Sequence, residues 1–503
     1  MSFRTFLLPK AETQVEQAVV SRSENAYNID CRNKMENRFL AIVNFWRLLM
    51  DKNIYKVKCP KERKENVLVE AVVPGSKSIT NRALLLAAMA DGTSTIQGCL
   101  TSDDARYFLE CLKTLGFLVK ETPDKGLGST ITITGCGGDI PKKKAEIYVG
   151  SAGTAARFLV AMLALSDGEY VVNSSDQMKK RPMQPLIDVL KNAGAGVKCL
   201  EEEGHFPLHI TGVGDRARIP DEFTVNIDQS SQFLSALMIA VGALGKRAEI
   251  HVTGSHGLSY VDLTAEMMKS FGSIVEKQSV DRQITYLFSG EGRYRALAYE
   301  VEPDMSAAAY FYALAAVLGT KVSVKGVTAH MLQGDAEFFN VLKKMGCEIQ
   351  EQNNGNIVAA GPEVGKLKGG FSVDMSAFSD QALTLAAIAP FADAPVTITG
   401  IGHIRFQECD RIHAIVKNLT TLGIGVEEKE DGVTIYPGMP NAGEIETFDD
   451  HRVAMAFSLT GLRANGIIIQ NPSCCKKTFA EYFDVLEGVL AELASEPLQD
   501  KNH

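Results

Sequence analysis

The chain has 503 residues, 45% of them hydrophobic and 22% charged, with a formal net charge of −9. That length exceeds one small core and, at ~150 residues per domain, points to two to four domains; the composition excludes a disordered, collagenous or fibrous chain. The negative balance argues against a general nucleic-acid binder, whose backbone contacts need a basic surface.

Residues 1–50 differ from the rest of the chain. They lack the charged-then-apolar order of a secretory signal, and Glu12, Glu16, Glu24, Asp30 and Glu36 argue against a transit peptide. The stretch "FLAIVNFWRLLM" (39–50) is too short for a membrane span and carries Arg47, so it reads as an amphipathic helix. Met35 and Met50 are possible internal starts, and "MDKNIYKVKCPKERKENVLVEAVVPG" reads as the first strand of a domain. Residues 1–54 are therefore expected to be an extension, mostly dispensable, and 496–503 a tail. The ten cysteines are scattered apart from Cys474–Cys475, with no C-x-x-C pair, which disfavours a zinc site or a disulfide framework and suggests a reducing, cytoplasmic setting.

The segment "VVPGSKSITNRALLLAAMADG" (72–92) looks like a phosphate loop opening a helix. Ala71 and Ser76 occupy the two glycine positions that a nucleotide-binding G-x-x-x-x-G-K-[ST] loop requires, so that reading fails. Lys77 remains a candidate phosphate ligand.

From here the chain repeats itself. "LECLKTLGF", "IDVLKNAGA", "AEMMKSFGS", "FNVLKKMGC" and "VKNLTTLGI" end amphipathic helices at Gly116, Gly194, Gly272, Gly346 and Gly423, spaced 74 to 78 residues apart. Each glycine sits where a helix C-cap belongs, and a short alternating strand comes next. Earlier in each unit a small-residue helix opens on Ser or Asp: "SITNRALLLAA", "SAGTAARFLVAMLA", "SSQFLSALMIA", "DMSAAAYFYALAA", "SDQALTLAAIA" and "DDHRVAMAFSL". Every unit is predicted to run helix, strand, helix, then strand or strand pair, and six such units fill the chain.

Duplicated core helices account for the alanines but not for the charges at their openings. Six helix N-termini gathered in two groups of three would favour anions. Lys77, Arg82, Arg157 and Arg452 reinforce them, and Arg181, Arg411 and Lys477 stand elsewhere, a set suited to a ligand with several negative charges. Ser230, Ser231 and Gln232 offer hydroxyls, an amide and backbone N–H groups at one helix start, suited to a phosphate monoester. Asp380 and Glu408 are candidates for proton transfer. Asp380 also reads as a plain N-cap, and His451 as a packed histidine.

The ordered blocks "PGSKSITNRALLLAA", "SDDARYFLECLKTLG", "AGTAARF", "RPMQPLIDVLKNAGA", "SSQFLSALM", "QGDAEFFNVLKKMG", "ECDRI", "DDHRVAMAFSL" and "KKTFAEYFDVL" closely resemble the 5-enolpyruvylshikimate-3-phosphate synthase family, from about Val72 to Leu490. The resemblance implies an α/β, two-domain enolpyruvyl transferase fold, each domain built from three repeated units around buried helices as an inside-out barrel. Residues 77–296 would form the upper domain, and 55–76 with 297–495 the lower, so that the chain crosses between them twice. The implied reaction adds the enolpyruvyl group of phosphoenolpyruvate to the 5-hydroxyl of shikimate 3-phosphate and releases phosphate, without metal or organic cofactor. The implied partners are those two small molecules, with no nucleic acid and no membrane, acting on a cytoplasmic monomer.

Position by position, the resemblance assigns Lys77 to both substrates and Ser78 and Arg82 to the shikimate part. Ser230 and Ser231 correspond to phosphate-binding serines, and Gln232 lies between the ligands. Gly153, Arg181, Arg411, Arg452 and Lys477 surround phosphoenolpyruvate. Asp380 is the implied acceptor of the hydroxyl proton and Glu408 the acid acting at the methylene carbon. Departures cluster at the shikimate end: His403 and Gln407 replace the usual asparagine and lysine, with Arg405 at a family arginine position, and "GLSY" keeps only Tyr260. His403, Gln407 and Tyr260 are nevertheless expected in the shikimate 3-phosphate site. Ser151 stands for an asparagine and Phe158 for a common proline. Two other readings exist. A UDP-N-acetylglucosamine enolpyruvyl transferase would carry a reactive cysteine that "VVNSSDQMKKRP" lacks, and a noncatalytic anion-binding relative would not need both Asp380 and Glu408.

Overall fold

The computed structural model describes residues 53–60, 64, 67–254, 256–281 and 283–494. The extension up to residue 52, its amphipathic helix and the 496–503 tail lie outside the described residues. All six repeats belong to the compact unit that begins at Tyr55.

Six helices open the repeats: α1 (Lys77–Met89), α2 (Gly153–Ala164), α3 (Gln232–Leu244), α4 (Met305–Leu318), α5 (Ala382–Ile388) and α6 (His451–Gly461). Every residue of α2, α4 and α6 is buried, which explains their alanine and glycine content. A helix enclosed on all sides has no polar face to keep, and small side chains let its neighbours approach. α1, α2 and α3 belong to one hydrophobic core, and α4, α5 and α6 to another.

The second repeat shows the full unit. The strand Lys144–Tyr148 leads into α2, and Glu169–Asn173 returns parallel to it. The helix Gln184–Asn192 comes next, and the strands Gly196–Cys199 and Leu208–Thr211 complete an antiparallel edge. The expected helix, strand, helix, strand-pair order is present, with a leading parallel strand added in front. Among the described residues, five sheets have four strands in this arrangement.

Two leading strands are exchanged along the sequence. The fourth repeat takes Leu68–Ala71, which pairs parallel with Lys321–Thr328, while the first takes Ala298–Glu300, parallel to Asp91–Cys99. Ala298–Glu300 completes the first sheet, and the core changes between Val301 and Met305.

The repeated glycines end helices as expected. After the helix Phe338–Lys344, Gly346 has φ +93°; its N–H donates to the Lys343 carbonyl, and the Cys347 N–H donates to the Leu342 carbonyl. This paired bonding satisfies the last helical carbonyls and needs a left-handed residue, which glycine adopts without Cβ strain. The same pair of bonds recurs at the other four glycines. The opening caps are less uniform. Ser76, Asp304 and Asp450 accept from backbone N–H groups as N-caps do, but α2 starts after Ala152 rather than Ser151, and α5 starts after Gln381. Among the described residues no helix is long and apolar enough to cross a membrane.

Candidate active site

The openings of α1, α2, α3 and α6 meet at one cavity, together with the segments Ser379–Gln381 and Gly402–Phe406 and the start of the helix Arg411–Thr421. It holds about 90 Å³ of accessible space. Small-molecule sites usually offer ~300–1,000 Å³. The space is small because acidic and basic side chains reach across it to one another.

Two carboxylates organise the cations. Asp380 Oδ1 accepts from Arg411 Nη1 at 3.0 Å, and Oδ2 accepts from Arg452 Nη2 at 2.8 Å. These contacts decide against the plain N-cap reading of Asp380, because both oxygens face guanidinium groups. Burial alone would raise the Asp380 pKa, but Arg452, Arg411 and Lys77 outweigh it and hold the carboxyl below its ordinary value. Glu408 accepts from Arg411 Nη2 at 2.9 Å, with Lys477 Nζ 3.2 Å and Arg181 Nη1 3.8 Å away. Burial again opposes ionisation, and Lys477, Arg411 and Arg181 override it, so the Glu408 pKa falls well below the usual range.

Arg411 is the hub of this network. Its Nε donates to Asp450 Oδ2 at 2.8 Å, and its Nη1 also meets the Gln407 amide oxygen. Asp450 additionally caps α6 by accepting from the Arg452 N–H at 2.8 Å, so one buried carboxylate fixes both arginines. His451, the next residue, is buried with neither ring nitrogen hydrogen-bonded and does not line the cavity, as a packed histidine would. Burial first, then Lys77 and Arg452, depress its pKa well below 6.5.

On the α1 side, Lys77 Nζ lies 3.9 Å from Asp104 Oδ2. Burial dominates both groups, lowering the Lys77 pKa and raising that of Asp104 despite their attraction. Arg82 is fully committed: Nε donates to Thr264 Oγ1 at 2.7 Å, Nη2 to the Tyr260 carbonyl at 2.9 Å, and Nη1 to the Ser78 carbonyl at 3.0 Å. Gly153 opens α2 against the Arg181 and Arg157 guanidinium groups, and any Cβ there would press on both. At the start of α3 the Gln232 N–H donates to Ser230 Oγ at 3.3 Å, and its amide donates to Thr154 Oγ1 at 3.3 Å. Tyr260 reaches from the first core to the second, its hydroxyl 3.4 Å from Asp335 Oδ2.

The cavity brings together Lys77, Ser78, Arg82, Gly153, Arg181, Ser230, Ser231 and Gln232 from the first core, and Asp380, His403, Gln407, Glu408, Arg411 and Arg452 from the second. Tyr260 also lines it, and Lys477 joins through Glu408. Arg405 does not line it; that side chain pairs with Asp410 and Glu428. Sequence reasoning passed over Asp104, His256 and Phe406, which also form the wall. Asp104 stands in the first turn of the helix Asp103–Thr114, where an acid is ordinary; its burial against Lys77 was the missing signal.

Known proteins share this sequence and this fold. The family model described as EPSP synthase (3-phosphoshikimate 1-carboxyvinyltransferase) matches residues 62–486. A 3-phosphoshikimate 1-carboxyvinyltransferase of Trichormus variabilis is 43% identical over 82% of this chain and 94% of its own length. The 3-phosphoshikimate 1-carboxyvinyltransferase 2 of Halalkalibacterium halodurans is 42% identical over 82% of this chain and 90% of its own. Among solved structures, the EPSP synthase of Acinetobacter baumannii aligns with a TM-score of 0.68 at 25% identity, covering 87% of this chain and 98% of that one. The enolpyruvyl transferase NikO of Streptomyces tendae shares the fold, with a TM-score of 0.63 at 15% identity over 85% of this chain and 96% of its own.

Proposed function

The chain belongs to the EPSP synthase (3-phosphoshikimate 1-carboxyvinyltransferase) family, with the two-domain enolpyruvyl transferase fold, and from that premise we propose how its own residues perform the transfer. The enzyme moves the enolpyruvyl group of phosphoenolpyruvate to the 5-hydroxyl of shikimate 3-phosphate and releases phosphate, a step of aromatic amino acid biosynthesis. The alternative acceptor, UDP-N-acetylglucosamine, and a noncatalytic role are not favoured by these relatives.

The observation that carries the mechanism is the pair of carboxylates set among cations, Asp380 between Arg411 and Arg452, and Glu408 among Arg411, Lys477 and Arg181. Asp380 is ionised at rest and serves as the acceptor of the 5-hydroxyl proton. Glu408 serves at the methylene carbon. At rest its cations hold it ionised, so it needs a proton before it can act as an acid. Bound phosphoenolpyruvate supplies a phosphate and a carboxylate that draw Arg181, Arg411 and Lys477 away. The burial that opposes ionisation then prevails, and the Glu408 pKa rises toward the working range.

Addition of the hydroxyl oxygen to C2, with protonation of the methylene, gives a tetrahedral intermediate bearing two phosphates and two carboxylates. Lys77, Arg181, Arg411, Arg452 and Lys477, once turned from the resting carboxylates onto the ligands, stabilise this charge. Removal of a methyl proton by Glu408 and departure of phosphate complete the exchange. Gly153 leaves room for phosphoenolpyruvate, and Ser78, Arg82, Ser230, Ser231, Gln232, Tyr260, His403 and Gln407 hold the acceptor.

A first domain of residues 77–296 and a second of 55–76 plus 297–495 are part of this proposal; the two separate cores support them. So is a monomer, and so is a reducing, cytoplasmic setting, supported by the free thiols of Cys99, Cys111, Cys136, Cys199, Cys347, Cys409, Cys474 and Cys475. The test is phosphate release from phosphoenolpyruvate with each acceptor. Release with shikimate 3-phosphate and none with UDP-N-acetylglucosamine is the expected result, and the reverse refutes the reading.

A further inference from the structure

We propose that His256 and His403 form an imidazole pair that clasps the phosphomonoester end of the acceptor, so that acceptor binding takes up a proton. The inference rests on the reading of the cavity as an acceptor site and concerns what recognises the phosphate there.

The two rings come from opposite cores. His256 lies just beyond the strand Arg247–Thr253, and His403 lies in the turn Gly402–Phe406. Their centroids stand 4.9 Å apart at 31°, and both rings face the cavity. His403 Nε2 is 2.8 Å from Ser379 Oγ, while Nδ1 of each ring is buried without a hydrogen-bond partner. A buried ring nitrogen left unpaired is costly, and a ligand oxygen would satisfy it.

The neighbouring groups specify an anion. Gly257 lies against Ser231, since a Cβ there would fall 2.7 Å from Ser231 Oγ. The imidazoles thus share a wall with the Ser230 and Ser231 hydroxyls at the start of the 13-residue helix α3. Arg411 and Arg452 are paired with Asp380, Glu408 and Asp450, and Arg82 with carbonyl and hydroxyl oxygens, while Lys77 lies beside Asp104 and Arg181 beside Glu408. A phosphate dianion at this wall draws part of its compensating charge from the imidazoles.

In the free protein, burial first and then His256 push the His403 pKa down to about 4. Asp380 and Asp431 oppose that shift, and Arg411 adds to it. His256 faces His403 across the cleft, and the other polar neighbours on this wall are Tyr260, Gln229, Ser379 and Gln407. The His403 imidazole is therefore neutral at pH 7.5 while the cavity is empty. A phosphate in contact reverses the sign, because an adjacent negative charge favours imidazolium. Its second ionisation near pH ~6 leaves it mostly dianionic at pH 7.5.

The experiment is isothermal titration calorimetry of the full chain with shikimate 3-phosphate at pH 7.5, in two buffers of different ionisation enthalpy. Wild type is expected to take up a fraction of a proton per ligand. His256→Gln and His403→Asn are each expected to weaken Kd for shikimate 3-phosphate by about tenfold and to reduce the uptake. Unphosphorylated shikimate is expected to bind without uptake and to ignore both substitutions. Absence of proton uptake by wild type overturns the proposal without recourse to any variant, as does an unchanged Kd and uptake in both variants. Binding with uptake but no phosphate release from phosphoenolpyruvate would sink the transferase reading and leave this inference standing; no binding at all overturns both.

Discussion

Asp380 and Arg452 meet through a 2.8 Å contact between Oδ2 and Nη2 that ties the fifth repeat to the sixth. Arg411, 3.0 Å from the other oxygen, makes the carboxylate a bridge between two guanidinium groups. A carboxylate so held keeps its charge in acid, and its oxygens are aimed at the cavity.

Asp380→Asn keeps the shape and removes the base. The expected result is a fall in kcat of roughly 10²–10⁴-fold with shikimate 3-phosphate still bound. Steady-state kinetics with calorimetry for binding provide the check. A kcat within a few-fold of wild type would exclude Asp380 as proton acceptor.

Gly153→Ala places a methyl group against the Arg181 and Arg157 guanidinium groups. Displacing these groups would disturb the space assigned to phosphoenolpyruvate, since both line the cavity. KM for phosphoenolpyruvate is expected to rise about tenfold while kcat changes little, the pattern of lost ground-state binding. An unchanged KM would show that the phosphoenolpyruvate pocket lies away from this helix start.

Asp335 gives a stability prediction with a definite sign. It accepts from Ser306 Oγ at 3.0 Å and Gln381 Nε2 at 2.8 Å on one oxygen, and from the Tyr260 hydroxyl on the other. Burial and the nearby Asp380 raise its pKa to about 6. A raised carboxyl pKa favours the fold below the unfolded value near ~3.9, and that advantage disappears as pH climbs through about 6. Asp335→Asn keeps the acceptor for Ser306 and Gln381 and turns an amide toward Tyr260, whose oxygen can accept. Urea unfolding should therefore find the variant relatively more stable at pH 8 than at pH 5, by about 1–1.5 kcal/mol. An offset that does not vary with pH would mean that Asp335 is not protonated in the fold at pH 5.

Gly346→Ala isolates backbone cost from crowding. A Cβ there would meet nothing nearer than 3.6 Å, yet φ is +93°. A loss of about 1–2 kcal/mol is expected in urea titration with kinetics intact. A loss above that range would show that the packing around Lys368 and Pro362 resists the methyl group.

The sequence showed most where the physics is local. The glycines at 116, 194, 272, 346 and 423 mark helix ends because one left-handed residue with two backbone bonds is enough to stop a helix. The cations at the helix openings were visible for the same reason. Less legible was anything that depends on what lies across the cleft. Asp380 could be an N-cap until Arg411 and Arg452 were seen on its oxygens. His256 carried no signal, since its partner His403 lies far along the chain. The leading strands are short, and Ala298–Glu300 joins a sheet whose other strands come from 91 to 136.

The exchange of leading strands sets an order of events at the ribosome. Leu68–Ala71 emerges early but has no partner until Lys321–Thr328 is made, and Asp91–Cys99 waits for Ala298–Glu300 to complete its edge. The first-made half therefore leaves the tunnel with one strand idle and one sheet unfinished. The second half cannot be cut out as a single contiguous piece without losing Leu68–Ala71, whereas the stretch 77–300 carries every strand of its own sheets. A permuted gene that begins after Ala71 and appends Leu68–Ala71 directly ahead of the fourth repeat would remove one of the two delays.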